Sequence, residues 1–268
     1  MIGFPSRRLP HFFCWGKGDE DFFESLKQPI DNFYPIGSLV GEKARRSLKY
    51  INERPIFDVC LISQWDDSFM NPDEVDGRQK GVLQLNEHFR RFVLETGIKA
   101  CVALRTKTDV LQAEHADDAE WVYYRQSHQG RVSFVTRARD DLASYEAASR
   151  SRVILAFSSS LAVEAFGWGK KVLYCNLSGE STYAYPHCLG PWLLTACDYE
   201  TFKDALVRLL QMDQSTYERL NAPIRDYLMA YPKNGVPNYQ VLRNAVVGVL
   251  RDDRRVNSRE RLSLSPSP

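Results

Sequence analysis

Apolar positions in this chain come in short blocks set between polar turns, and the blocks alternate between two spacings. His11 to Trp15, Asn32 to Ile36, Ile56 to Ser63, Lys99 to Leu104, Arg131 to Val135, Arg152 to Phe157 and Lys171 to Cys175 are short and rich in apolar residues, as strands are. The run IFDVCLIS is apolar on successive residues, which predicts a central parallel strand buried on both faces. Between the blocks lie helical patterns. GDEDFFESL starts acidic and is ended by Pro29, Glu42 to Asn52 follows the turn Gly37-Ser38, and Arg78 to Glu95 carries Leu83, Leu85, Phe89, Phe92 and Val93 with Gly97 as C-cap. Asp140 to Ser149 sets Leu142, Tyr145 and Ala148 on one side, and Leu161 to Trp168 is a further short helix. Thr108 to Gly130 is polar and acidic, helical or irregular. Asn176 to Pro191 is a loop, Trp192 to Thr195 a short edge strand, and three helices over Tyr199–Met212, Ser215–Tyr231 and Tyr239–Arg251 close the fold.

Strands alternating with helices predict an α/β architecture, a parallel sheet with helices on both faces and C-terminal helices. Residues 1–252 are expected to form one domain, and residues 253–268, charged and then Ser/Pro-rich, a disordered tail. In such sheets ligands bind beyond the carboxyl ends of the strands. The segments there are Gly16 to Gly18, Gly37-Ser38, Ser63 to Asp67, Arg105 to Lys107, Ser158 to Ser160 and Asn176 to Glu180, and in one continuous sheet they would converge on one edge.

Chemistry concentrates between Arg152 and Asn176, which reads as strand, serine turn, short helix and strand. Ser158, Ser159 and Ser160 then lie at a helix N-terminus, whose partial positive charge and unpaired N–H groups suit a phosphate. One serine would suffice as an N-cap; three exceed that need. Glu164 is about one turn further on, where a carboxylate can accept hydrogen bonds from a ribose diol. Arg105 and Lys107 leave a strand end separated by one residue, a geometry able to hold a pyrophosphate.

Other readings are weaker. A nucleophilic serine would need the G-x-S-x-G elbow, and AFSSSLA lacks the glycines. Asp66-Asp67 stands ahead of a helix and reads as capping before metal or base chemistry. His187 reads as a surface histidine. Neither a Walker A lysine motif nor G-x-G-x-x-G occurs.

Composition narrows the partners. With 35 basic and 34 acidic residues, net charge +1, there is no general electrostatic case for nucleic acid, so any anion site is local. The 44% hydrophobic content supports a large core. Six cysteines without a CxxC pair or a zinc-spaced Cys/His cluster indicate reduced thiols, four of them in strands, and a cytoplasmic setting; no metal and no bound cofactor are expected. No apolar run approaches the ~20 residues needed to span a bilayer.

The succession FFCWGKGDEDFF, YPIGS, VCLISQ, VALRTK, SYEAASRSRVILAFSSSLAVEAFGWGKKVLYCN and FKDALVRLLQMDQSTYERLNAPIRDYLMAYP resembles the C-terminal, donor-binding half of GT-B glycosyltransferases, in particular those of bacterial surface-carbohydrate and capsule biosynthesis. The resemblance covers most of Phe12 to Pro232, and its most specific piece is the serine turn, Glu-Ala and Gly-Lys-Lys succession. It implies a Rossmann-like half-domain. It also implies donor phosphates at Ser158 to Ser160 with Arg105 and Lys107 near them, the donor's ribose at Glu164, and Gly37-Ser38 as the glycine turn at an interdomain cleft.

The acceptor-side domain that supplies a catalytic base in such enzymes would precede HFFCWG, where this sequence has ten residues, and no catalytic residue is located. Two functions stay open. One is a glycosyltransferase, or its donor-binding half, moving a sugar from a nucleotide-activated donor to a glycan or lipid-linked acceptor, with a separate chain supplying the acceptor domain and a peripheral place at the inner membrane face. The other is a noncatalytic nucleotide-sugar or partner-binding module, or a truncated transferase remnant.

Overall fold

The computed structural model of the chain describes residues 8–48, 54–66, 76–107, 118–137, 142–180, 192–195, 197–231 and 236–248. They divide into two compact units, Met1–Glu42 with Asp226–Pro268, and Lys43–Arg225.

The larger unit holds a six-stranded parallel sheet. Its strands are β3 (Phe57–Ile62), β4 (Ala100–Lys107), β5 (Ser133–Arg137), β6 (Ser151–Ala156), β7 (Lys171–Asn176) and β8 (Leu193–Thr195), in the spatial order β5-β4-β3-β6-β7-β8. From β3 the chain winds outward through β4 to β5, returns to the other side of β3 as β6, and winds outward again. The order therefore reverses between β3 and β6, which pair through Val59 with Val153 and Leu61 with Leu155. This is the strand order of a doubly wound dinucleotide-binding sheet, whose ligand crevice opens where the winding reverses.

Continuous apolar runs made these strands, and burial explains why. Val59, Cys60, Leu61 and Ile62 of β3 are all buried, as are Val153 to Ala156 of β6 and all of β7, so consecutive side chains on opposite faces are covered. Each fully buried Val, Ile or Leu contributes about 1.5–3 kcal/mol of transfer free energy. The covering helices are α3 (Gly77–Thr96), α4 (Ala119–His128), α5 (Ala143–Ser149), α6 (Ser160–Gly167) and α7 (Tyr199–Gln211), followed by α8 (Gln214–Leu228). α3 packs with α7, and α5 with α6. Gly97 ends α3 in the left-handed conformation at φ 64°, the C-cap read from the sequence. Cys60 and Cys101 face each other across β3 and β4, and with Cys14, Cys175 and Cys197 they are buried free thiols. Cys188 and the tail 253–268 lie outside the described residues.

The smaller unit pairs β1 (Phe12–Cys14) and β2 (Phe33–Pro35) in parallel, with α1 (Lys17–Ser25) between them and, after them, α2 (Leu39–Ser47) as far as Glu42. Phe12 packs edge-on against Phe23 and Phe33, at 4.7 and 5.9 Å between centroids. A helix over residues 238–248 adds Asn238, whose N–H donates to Glu42 Oε2 at 2.5 Å.

Three expectations are corrected. The strand ends do not lie on one sheet edge: Gly16 to Gly18 and Gly37-Ser38 belong with the two-stranded sheet. α2 starts at Leu39 rather than Glu42, because the Ser38 hydroxyl caps it by accepting from the Gly41 N–H at 3.0 Å. Arg105 and Lys107 are inside β4 rather than beyond it. A register shift between Ala103 and Lys107 lets Lys107 pair with Arg137, so β5 carries the strand onward despite its polar residues.

Candidate functional site

The reversal between β3 and β6 sets the place to look, and the serine turn leaves β6 there. α6 begins at Ser160 with Ser159 as an N-cap in extended conformation, yet no side chain caps it. α5 shares this, with Leu142 as an N-cap that makes no side-chain hydrogen bond, but four other helix starts of this unit differ. Asp76 and Gln79 form a reciprocal capping box on α3, Asp118 accepts from Trp121 N–H on α4, Asp198 from Thr201 N–H on α7, and Asp213 from Thr216 N–H on α8. Those ends have their donors answered by carboxylates or amides; α6 does not. The Ser159 main chain is held instead from below. Its N–H donates to the Tyr174 hydroxyl at 3.0 Å, and that hydroxyl donates in turn to the Ser159 carbonyl. Burial keeps the Tyr174 phenol protonated, its pKa raised from the usual value. The backbone of the turn is thereby fixed, while the hydroxyls of Ser158, Ser159 and Ser160 make no hydrogen bond among the described residues. Ser158 is half-buried, Ser159 buried and Ser160 exposed.

Glu164 lies one turn into α6 and is 3% exposed. Its Oε2 accepts from the Tyr145 hydroxyl of α5 at 2.6 Å, and the Tyr145 ring packs on Trp168 at 5.8 Å. Sequence reasoning placed Tyr145 on an apolar helix face and missed this bond; the two residues are 19 apart and meet only because α5 packs on α6.

Across the reversal, β3 ends in Ser63, Gln64 and Trp65. The Ser63 hydroxyl donates to Glu120 Oε1, and the Arg105 N–H donates to both Glu120 oxygens at 3.1 and 3.0 Å. Arg105 Nη1 donates to the Trp65 carbonyl, so its guanidinium spans from β4 to the chain leaving β3. The Trp65 ring lies against Tyr123 at 4.7 Å. Arg105 is exposed and has further donors beyond the one that holds Trp65. Glu120 was not anticipated, since nothing in the polar stretch around it has a recognisable spacing. Lys107 is two residues further along β4.

The remaining candidates separate. Asp66 pairs with Arg78 at 3.3 Å, and Asp76 caps α3, so Asp66 is not the cap of that helix. Asp67 and His187 lie outside the described residues. Gly37, at φ 74°, and Ser38, whose N–H donates to Met229 Sδ at 3.3 Å, sit in the smaller unit. Among the described residues no three His, Cys, Asp or Glu side chains gather as a metal site would require, and no helix is long and apolar enough to cross a membrane.

No protein-family model and no curated sequence matches the chain. Solved structures do. A protein described as a UDP-N-acetylglucosamine 2-epimerase from Listeria monocytogenes superposes with TM-score 0.50 at 13% identity, over 83% of this chain and 55% of that one. The fold is GT-B-like. UDP-GlcNAc 2-epimerase from Neisseria meningitidis, solved with UDP-GlcNAc, gives 0.48 at 12% identity over 87% and 59%, and the wall teichoic acid polymerase TagF gives 0.46 at 11% over 91% and 57%. The chain thus spans somewhat more than half the length of the structures it matches.

Proposed function

We propose that the larger unit binds a nucleotide-activated sugar, and that the chain acts as a glycosyltransferase or its donor-binding half, the recipient being a bacterial surface polysaccharide. The observation that carries this reading is the N-terminus of α6: three serine hydroxyls and uncapped N–H groups, at the carboxyl end of β6, beside the reversal of strand order. A diphosphate seated there would accept from the serine hydroxyls and from the N–H groups that other helices give to aspartate. Arg105, with Lys107 two residues on, would add positive charge from the β4 side, and Glu164, oriented by Tyr145, would face the ribose. In transfer the same donors would stabilise charge developing on the departing nucleotide diphosphate, and removing one such donor costs about 10²–10³ in rate where it has been measured. The catalytic base is not among the groups placed here; an acceptor domain would bring it. The Listeria epimerase is described as acting on a nucleotide sugar, which agrees with the substrate class of this reading.

Calorimetry of the full chain with UDP-, GDP-, CDP- and CMP-sugars tests it. Binding of one donor, weakened at least tenfold in a Ser158→Ala/Ser160→Ala double variant that melts like the parent, is the expected result. No binding to any donor would overturn the site. Binding with hydrolysis or transfer favours the complete enzyme; binding without turnover favours the donor-binding half where a separate acceptor-domain chain restores transfer, and the noncatalytic module where none does.

A further inference from the structure

A cavity of about 460 Å³ lies in the larger unit at the opposite end of the sheet from the serine turn, among Arg152, Trp168, Lys170, Lys171, Gln214 and Glu218. Ser151 and Lys171 begin β6 and β7, so the cavity sits at the amino ends of these strands, roughly 20 Å from Ser158 at the strand rise of about 3.3 Å per residue. Its volume is in the range of small-molecule sites, about 300–1,000 Å³.

Three cations gather there in a chain whose net charge is only +1. Lys171 is 6% exposed, and its ammonium donates to the main-chain carbonyls of Leu209, at 3.0 Å, and Met212. These close the C-terminus of α7 and are neutral groups. An ammonium has three donors, so one remains after the two carbonyls. Lys170 donates to the Ser149 carbonyl at the end of α5. Arg152 donates to Asp58 at 2.9 Å and to the Leu210 carbonyl at 2.5 Å, two of its five N–H groups. Burial lowers the pKa of both lysines, and Lys171 is lowered further by Arg152 while Asp213 opposes this. The surroundings therefore disfavour these charges, and an anion in the cavity would relieve that cost. Trp168 and Met212 supply an apolar wall beside the charged one.

We propose that this cavity is a second ligand site, separate from the donor site, for a phosphate group, either free orthophosphate or a phosphomonoester of a small sugar. The phosphate lies among Arg152, Lys170 and Lys171, and the ester's carbon skeleton lies along Trp168.

The test uses the ¹⁵N-labelled full chain titrated with inorganic phosphate and, separately, with ribose 5-phosphate, at constant ionic strength against chloride. Saturable shifts at the Arg152, Gly169 and Lys170 amides and a rise in melting temperature specific to phosphate are expected. Lys171 is too deeply placed to substitute safely. Lys170→Gln keeps a donor for the Ser149 carbonyl, and Gln214→Glu puts a negative charge on the exposed wall; each should weaken binding at least fivefold. Tighter binding of ribose 5-phosphate than of phosphate identifies the ester as the ligand class, and equal or weaker binding identifies orthophosphate. The Ser158→Ala/Ser160→Ala variant should bind both as the parent does, so that failure of the donor site leaves this result standing. No saturable shift with either probe, or binding unchanged in both Lys170→Gln and Gln214→Glu, overturns the proposal.

Discussion

The Tyr145 hydroxyl donates to the buried carboxylate of Glu164 at 2.6 Å, joining α5 to α6 one turn beyond the serine turn. A carboxylate held this way has a fixed orientation. Tyr145 is half-buried and its ring also rests on Trp168, so Tyr145→Phe keeps the packing and removes only the hydroxyl. We expect Tyr145→Phe to melt within a few degrees of the parent and to weaken nucleotide-sugar binding about 5–20-fold, the worth of one hydrogen bond to a charged group. Glu164→Ala should abolish measurable binding and lose about 2–3 kcal/mol of stability, since it leaves a hole and an unanswered hydroxyl. Calorimetry paired with urea unfolding separates the two effects. Unchanged affinity in both variants would reduce the pair to a structural contact.

Ser159 gives a sharper discrimination. A serine N-cap replaced by alanine typically costs about 1 kcal/mol. Ser159 occupies the N-cap position of α6 without a side-chain hydrogen bond. Ser159→Ala should therefore change stability by less than about 0.5 kcal/mol, and any loss should appear in ligand binding instead. A loss of 1 kcal/mol or more in urea unfolding would mean that the hydroxyl caps the helix in solution.

The strands β3, β6 and β7 could be read from the chain because burial on both faces leaves a run of apolar residues with no polar interruption. The serine turn was equally visible, since the apolar run of β6 stops at Phe157 and resumes with helical spacing after Ser160. The division into two sheets was not. FFC and FYP look like any other short strands, and whether they join β3 to β8 depends on pairing between distant segments. Arg105 looked like a strand exit because its neighbours are polar, whereas β4 continues because β5 pairs with it. Glu120 carries no local signal at all: its partners, Ser63 and the Arg105 N–H, are 57 and 15 residues away. Tyr145 was visible as an apolar position, but a phenol's hydrogen-bond partner is set by helix packing.

Glu120 ties the ends of β3 and β4 together, so its loss should be felt in the fold before the ligand. It is 4% exposed and accepts from the Ser63 hydroxyl and the Arg105 N–H. Glu120→Ala leaves these buried donors without their acceptor, and we expect a loss of about 2–4 kcal/mol in urea unfolding. Glu120→Gln keeps one acceptor oxygen and should cost roughly half as much.

α3 runs close to the chain leaving β6 and β7, and Gly81 permits it. A Cβ at Gly81 would stand 2.5 Å from Phe157 Cε2 and 2.6 Å from the Ser178 nitrogen, the second a main-chain atom. A Cβ at Gly77 would meet Glu180 Oε1 at 1.9 Å, the free end of a flexible side chain. Gly81→Ala should therefore destabilise by about 1–3 kcal/mol through overpacking and shift the serine turn, lowering donor affinity. Gly77→Ala, with Glu180 swinging aside, should gain or lose less than about 1 kcal/mol. Thermal melts and donor titrations of the two variants side by side check the contrast; equal behaviour would place the pressure elsewhere.

His128 makes the fold sensitive to acid. It is 2% exposed, stacked on Tyr124 at 6.0 Å and edge-on to Phe89 at 5.5 Å, and neither ring nitrogen has a hydrogen-bond partner among the described residues. Burial, with a smaller push from Arg90 against a pull from Glu87, lowers its pKa from 6.5 to about 4. The neutral ring is thus favoured in the folded chain, while the unfolded chain takes up its proton near 6.5. Between these values unfolding binds a proton, so stability rises with pH. The contribution is complete above about pH 6.5 and is lost as pH falls towards 4, amounting to about 2 kcal/mol by pH 4.5 at 1.36 kcal/mol per unit. His128→Phe retains an aromatic ring against Tyr124 and Phe89 and has no proton to bind. At pH 7 the variant should be at least as stable as the parent, because a buried unanswered N–H is gone. At pH 4.5 it should exceed the parent by about 2 kcal/mol more than it does at pH 7, read from urea midpoints at the two pH values. Parallel pH profiles for parent and variant would show that His128 keeps its ordinary pKa in the folded chain.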